Sequence, residues 1–168
     1  MGDVIVDVYY RPPDQDEEVD EAFYRQLQAA SQSQALVLMG DFNHPDISWE
    51  EHTARHTQSR RFFQSIGDNF LMQVVEEPTS GGILLDLVLM NKEGLVQDVK
   101  VGDRLGCSDH EMVNFRILGG GSRAISRIKT LDFRRANFGL LRGPLQAETF
   151  GLSRLKPPHI VVWVFLFL

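Results

Sequence analysis

The chain has 168 residues, room for one ordinary domain and little more, and at 43% hydrophobic and 24% charged it can build a packed core, which excludes wholesale disorder. Its single cysteine, Cys107, excludes an internal disulfide framework and a four-cysteine zinc site, and a net charge of −6 argues against a generally basic nucleic-acid coat. That average conceals an asymmetry, because residues 1–118 carry 9 Lys and Arg against 21 Asp and Glu, whereas residues 119–168 carry 8 against 2. The plain reading is an acidic globule followed by a basic tail. The sharper one lays Arg123, Arg127, Lys129, Arg134, Arg135 and Arg142 along a phosphate backbone.

In chain order, Val4 to Tyr10 alternates and is rich in β-formers, so it predicts a strand, ended by Arg11-Pro12-Pro13 because proline cannot donate to a ladder. Asp14 to Glu18 suit a helix N-terminus, and Val19, Phe23 and Leu27 with Ala22 and Ala30 make the apolar stripe of a helix running to Ala30. Ala35 to Met39 is a continuously apolar run closed by Gly40, the pattern of a strand buried on both faces. Asp41 to His56 reads as a loop, and Ser59 to Asn69 as a helix with Phe62, Phe63 and Ile66 inward. Leu71 to Val75 is a strand candidate ended by Pro78 and the Ser80-Gly81-Gly82 turn. Leu84 to Met90 predicts a buried strand with Asp86 inside it, Leu95 to Val101 a returning strand, Gly102 to His110 a loop, and Met112 to Leu118 the last clear strand. Gly119 to Ser122 marks the main break. It divides the chain into residues 1–118, a basic connector 119–142 and a tail 143–168. The tail ends in nine apolar residues, Ile160 to Leu168, under half the ~20 needed for a bilayer-crossing helix.

Three segments place polar groups where strands end. Asp41 and Asn43 lie two apart after the buried run, so an extended segment puts both on one face with Phe42 pointing into the core. A carboxylate beside a carboxamide can activate and orient a water; the plainer alternative is an Asp/Asn turn. Asp86 within an apolar strand is either an edge residue facing solvent or an active-site group, since a buried unpaired carboxylate costs several kcal/mol. Ser108-Asp109-His110 is a solvated loop or, with a second carboxylate near, a working site. In the latter, Asp86 orients His110 as an acid/base or phosphate-facing imidazolium while Asp109 reaches a hard divalent metal.

Taken together, these residues resemble the endonuclease/exonuclease/phosphatase superfamily. The stretches YYRPPDQDEEVDEAFYRQL, GDFNHPDISWE, FLMQVVEEPTSGGILLDLVLMNKEGLV and GCSDHEMVNFRIL are similar to the apurinic-type endonuclease of a LINE-class retrotransposon of the chicken-repeat clade. SRAISRIKTLDFRRANFGLLR resembles the connector leading from that domain toward reverse transcriptase, so the resemblance spans about residues 4–142.

The resemblance implies an α+β fold, a partial four-layer α/β-sandwich with the N-terminal half missing. It implies a Mg2+-dependent phosphodiester hydrolase that nicks DNA, with a phosphomonoesterase or lipid phosphatase as variants within the superfamily. Asp41 would be the acid/base and Asn43 its positioning partner. His110 would stabilise charge on the scissile phosphate, Asp86 would orient His110, Asp109 would be a magnesium ligand, and Tyr10 would contact phosphate. Pro13 stands where the family often has Asn. The family's early Asn and principal metal-binding Glu have no counterpart here, so weak or absent magnesium occupancy is expected from Asp109 alone. Glu17, Glu18 and Glu21 fall in a surface-helix pattern and do not replace them. The alternative function is a non-catalytic retrotransposon remnant that binds nucleic acid weakly, through residues 123–142. An uncovered sheet face or edge would favour self-association, no membrane span is expected, and a nuclear setting follows only from the resemblance.

Overall fold

The computed structural model describes residues 4–104 and 108–118, and the backbone of two short strands at 153–155 and 160–164. The break at Gly119 to Ser122 and the basic stretch 123–142 lie outside the described residues. In chain order the elements are β1 (Val4–Tyr10), α1 (Glu17–Ser31), β2 (Leu36–Asp41), β3 (Ile47–Ser48), β4 (Thr53–Ala54), α2 (Thr57–Asp68), β5 (Met72–Gln73), β6 (Asp86–Met90), β7 (Val96–Arg104), β8 (Glu111–Ile117), β9 (Ser153–Leu155) and β10 (Ile160–Val164).

Five strands form one sheet in the order β5-β6-β2-β1-β9, three form a second in the order β10-β8-β7, and β3 and β4 make a small ribbon. β1 and β2 are parallel, joined through α1, while β6 runs antiparallel to β2. This is an α+β sandwich. Its two cores sit on opposite faces of the larger sheet, and strand parity assigns residues to them. Leu36 and Leu38 of β2, with Leu87 and Leu89 of β6, pack against Phe23 and Leu27 of α1 and Phe62 and Ile66 of α2. The intervening Val37, Met39, Val88 and Met90 face the second sheet, where Val96, Val113, Phe115 and Ile117 meet them. Two-sided burial is the reason both runs are continuously apolar.

Several boundaries differ from the sequence expectation, each for a local reason. In α1, Val19 is partly exposed while Asp20 is buried, because the guanidinium of buried Arg11 meets the Asp20 carboxylate with two bonds of 2.9 Å. The Gln15 amide joins them, donating to Asp20 and to the Tyr9 hydroxyl at 2.7 Å each. That network ties the Arg11 to Gln15 loop onto the first turn of α1. Glu17 and Glu21 do lie on the surface, paired with Arg61 of α2. β5 is only two residues long, since the Gln73 side chain takes both the N–H (2.5 Å) and the C=O (2.6 Å) of Val75. β7 runs on to Arg104, with Gly102 opposite Met112 of β8, where a loop was expected. A register shift near Asp98, which adopts φ 54°, bends it on the way. In the apolar ending, Ile160–Val164 is a strand on the outer edge of β8, and Ser153–Leu155 pairs with Val4–Val6 of β1. Among the described residues no helix is long and apolar enough to cross a membrane.

Gly40 is the tightest point of the larger sheet. It has φ 151°, a region L side chains avoid, and a methyl group there would overlap the carbonyl oxygen of Tyr9 on β1. Gly40→Ala is expected to destabilise the fold by about 3 kcal/mol or more, through forced separation of β1 from β2. A fall in the urea midpoint with an unchanged m-value would register it, and an unchanged midpoint would refute the close approach.

Candidate active site at the strand ends

The sheet register builds the site. Tyr10 is the partner of Asp41 across β1 and β2, and Asp41 is the partner of Asp86 across β2 and β6. Partners share a face, so Tyr10, Asp41 and Asp86 form a row on the side of Val37, Met39 and Val88, at the end of the cleft between the two sheets. His110, just before β8 of the opposing sheet, closes the row with its Nδ1 2.7 Å from Asp86 Oδ2. Four of the six residues singled out from sequence thus converge, with Asp109 standing at the rim. Asp109 is exposed, its carbonyl accepts the Ser80 hydroxyl at 3.3 Å, and its charge is felt at Asp41, Asp86 and His110.

Asn43 is placed differently from the extended arrangement. It adopts φ 49°, and its backbone N–H donates to Asp41 Oδ1 at 2.9 Å, so Asp41 to Asn43 is an Asx turn. The turn still buries Phe42, as expected. It occupies one Asp41 oxygen and leaves Oδ2 buried with no partner among the described residues. Asp86, expected in mid-strand, is instead the first residue of β6 and is buried, which rules out the solvent-facing alternative.

Burial and like charge dominate the electrostatics. Burial, then the nearby Asp86 charge, pushes the Asp41 pKa up to about 6, against the opposing pull of His110 and of the Asn43 N–H. Asp86 is also raised by burial, though hydrogen bonds from Thr79 and His110 favour its charged form. At His110 burial works against the cation, but the Asp86 hydrogen bond and the charges of Asp86, Asp41 and Asp109 raise the pKa on balance. Burial and the Asp41 charge raise Tyr10, keeping its phenol protonated. The row therefore holds an imidazolium–carboxylate pair beside a carboxyl poised to exchange a proton near neutral pH.

A cavity of about 10 Å3 behind Asp86 and His110 is at the lower limit for one water, so the dyad is firmly backed. A groove of about 650 Å3 lies elsewhere, between β1 and α1, and is mainly apolar. Among the described residues no three His, Cys, Asp or Glu side chains are grouped to hold a metal ion. Mg2+ asks for six oxygens in near-octahedral array. The described side chains alone do not fit it as a resident ion.

Two contributors were not singled out from the sequence. The Arg11–Asp20 pair fixes the loop next to Tyr10, and the Arg11 N–H donates to the Asp41 carbonyl at 2.9 Å. Thr79 is wholly buried and accepts the N–H groups of Leu85 and Asp86. The available signals were an arginine flanking an acidic helix start and a threonine opening a Ser-Gly-Gly turn, each common where no site exists.

An α+β sandwich with this carboxylate–imidazole row at its strand ends has the architecture of the endonuclease/exonuclease/phosphatase class. Residues 4–114 match the family described as endonuclease-reverse transcriptase, and the chain belongs to that family. Its fold is similar to a solved structure described as the endonuclease domain of TRAS1, a telomere-specific non-LTR retrotransposon, at 20% identity and a TM-score of 0.50. The match covers 65% of this chain and 53% of that one, so the chain spans about half the length of that structure. No curated protein matches.

The raised Asp41 pKa has a consequence for stability. A carboxyl that binds its proton more tightly when folded contributes stability that is fully present below the ordinary value of 3.8 and lost as pH rises through about 6. Asp41→Asn keeps the Oδ1 acceptor and carries no charge. It should therefore raise stability by about 2–3 kcal/mol at pH 7.5, with the gain vanishing below pH ~4. Thermal denaturation across that range checks this; a pH-independent difference would contradict it.

Proposed function

We propose that the chain carries a DNA-cleaving site of a LINE-class retrotransposon endonuclease of the chicken-repeat clade, matching the C-terminal half of that domain in residues 1–118. On this reading 119–142 is a basic connector toward reverse transcriptase and 143–168 an unrelated tail. The observation that carries the activity is the aligned row Tyr10, Asp41, Asp86 and His110 at the mouth of the inter-sheet cleft.

Each residue has a role the geometry supports. His110, held by Asp86, presents its other ring nitrogen as a cationic donor to a phosphate oxygen and stabilises charge as it develops. Asp41, with Oδ2 free and its proton affinity tuned to neutrality, takes a proton from the attacking water or delivers one to the leaving oxygen. Asn43 fixes the Asp41 carboxylate through its backbone N–H, and the Tyr10 phenol donates to the phosphate. In the hydrolysis a water oxygen bonds to phosphorus, one P–O ester bond breaks, and the departing oxygen ends protonated. Asp109 is the candidate contributor of a magnesium ligand at the rim, and the remaining coordination must come from outside the described side chains. Among the described residues β9 pairs with β1 only at Val4–Val6, and self-association along the rest of that edge belongs to this reading.

A second reading is favoured by one observation, the absence of a three-ligand metal group among the described residues. The chain is then a non-catalytic remnant whose basic segment 123–142 binds nucleic acid weakly. Nicking of supercoiled plasmid by monodisperse protein, with magnesium and with chelator, separates the two. The endonuclease reading expects magnesium-dependent nicking that falls at least ~100-fold in His110→Ala and in Asp41→Ala. Equal nicking by either variant would overturn the site assignment, and no nicking by folded parent protein would select the remnant.

A further inference from the structure

Bonds from three directions converge on Thr79, which has no exposed surface. Its hydroxyl oxygen accepts the N–H groups of Leu85 at 3.1 Å and Asp86 at 2.9 Å. Its carbonyl accepts the N–H of Glu111 at 2.7 Å, and its own N–H donates to the Ile83 carbonyl at 2.9 Å. One residue thereby grips the first residue of β6, the residue that follows His110 at the head of β8, and the turn between.

The grip replaces ladder pairing at a place where the ladder is absent. β5 pairs with Met90 and Leu89, and the Val74 N–H reaches the Val88 carbonyl, so among the described residues this ladder stops short of Asp86. Thr79 supplies the acceptor that a strand would have supplied. With amides on its oxygen, the hydroxyl proton remains available to the Asp86 carboxylate, whose charged form Thr79 favours. Valine has the same shape and keeps the backbone bonds but loses those of the hydroxyl; serine keeps both.

We propose that Thr79 is a positioning residue, its hydroxyl fixing the start of β6 and its carbonyl the start of β8, so that the Asp86 carboxylate and the His110 imidazole meet at bonding distance. This deepens the hydrolase reading, because Asp86 and His110 belong to that site, but the placement itself is testable without catalysis.

The test uses the full chain labelled with 15N. The parent should show a downfield imidazole Nδ1–H resonance, assigned to His110 by its loss in His110→Ala. Thr79→Ser should retain that resonance and Thr79→Val should lose it. Val75→Ala, a buried core substitution at a residue that makes none of these bonds, should retain it and so separates positioning from general loss of stability. In the parent, the amides of Leu85 and Asp86 should resist hydrogen exchange. Persistence of the resonance in folded Thr79→Val, its absence from the parent or from Thr79→Ser, or unprotected exchange at both amides would each overturn the proposal. Should Thr79→Val not fold, the exchange measurement and Thr79→Ser decide. Where the parent nicks DNA, Thr79→Val should slow turnover at saturating DNA by ~10-fold or more with KM little changed, and Thr79→Ser should restore it. A parent that does not nick defeats the hydrolase reading and leaves the spectroscopic result to judge Thr79.

Discussion

The pairing of Asp41 with Asp86 across β2 and β6 is the constraint on which the site depends. Opposed residues on neighbouring strands stand about 5 Å apart, and two carboxylates at that spacing repel. Both are also cut off from water, so neither the sheet nor solvent relieves the repulsion. Relief comes from the opposing sheet, where His110 reaches Asp86, and from protonation, where Asp41 becomes the weaker acid. The two chemically identical groups are treated unequally, Asp86 being paired with His110 and Asp41 able to gain or lose a proton near neutrality. A like-charge pair is thus kept at the cost of stability, the pattern of a working site more than of a structural one.

The same register that creates the conflict aligns Tyr10 with it, and the surrounding bonds hold the row still. The Arg11 guanidinium, locked to Asp20, fixes the chain leaving β1, while its N–H continues the β1–β2 ladder one step beyond Tyr10. On the other side, Asp46 accepts the N–H groups of Arg55 and His56 at 2.8 and 2.7 Å and the Ser59 hydroxyl at 2.5 Å, tying the start of α2 to the loop that follows Asn43. Burial lowers the pKa of His44, next to that loop, to about 4, so the ring is neutral when it stacks on Phe62. Helices therefore brace the strand ends from the face opposite the cleft.

How much of this was legible in the sequence follows from the range of the forces involved. The apolar runs before Gly40 and around Leu87 announced strands buried on both faces, and alternate positions within such strands decide which core each side chain enters. GDFN, LLDLVLM and SDH could be recognised as one site through a family resemblance, although their meeting depends on contacts 24 to 45 residues apart in sequence. Local chemistry misled where side chains competed with the backbone. Asn43 turned out of the extended path because the Asp41 carboxylate captured its N–H, and β5 shrank because the Gln73 amide captured Val75. The buried Arg11–Asp20 pair was invisible because charge at a helix start reads as surface until its partner is known.

In the proposed hydrolysis, the charge balance of the row gives Asp41 a direction. The pair of Asp86 and His110 is close to neutral as a unit, so an arriving phosphodiester, itself an anion, meets one charge that is not yet cancelled, that of Asp41. Its approach acts on Asp41 as Asp86 already does, raising a proton affinity that stands near neutrality before substrate binds. Binding and protonation of Asp41 are therefore linked: each phosphate that enters favours a proton on Oδ2, the oxygen left without a partner by the Asx turn. On that reading, a site loaded in this way holds its proton ready for the leaving oxygen. On the proposed hydrolase reading, that linkage favours Asp41 as the acid toward the leaving oxygen once the phosphodiester is bound.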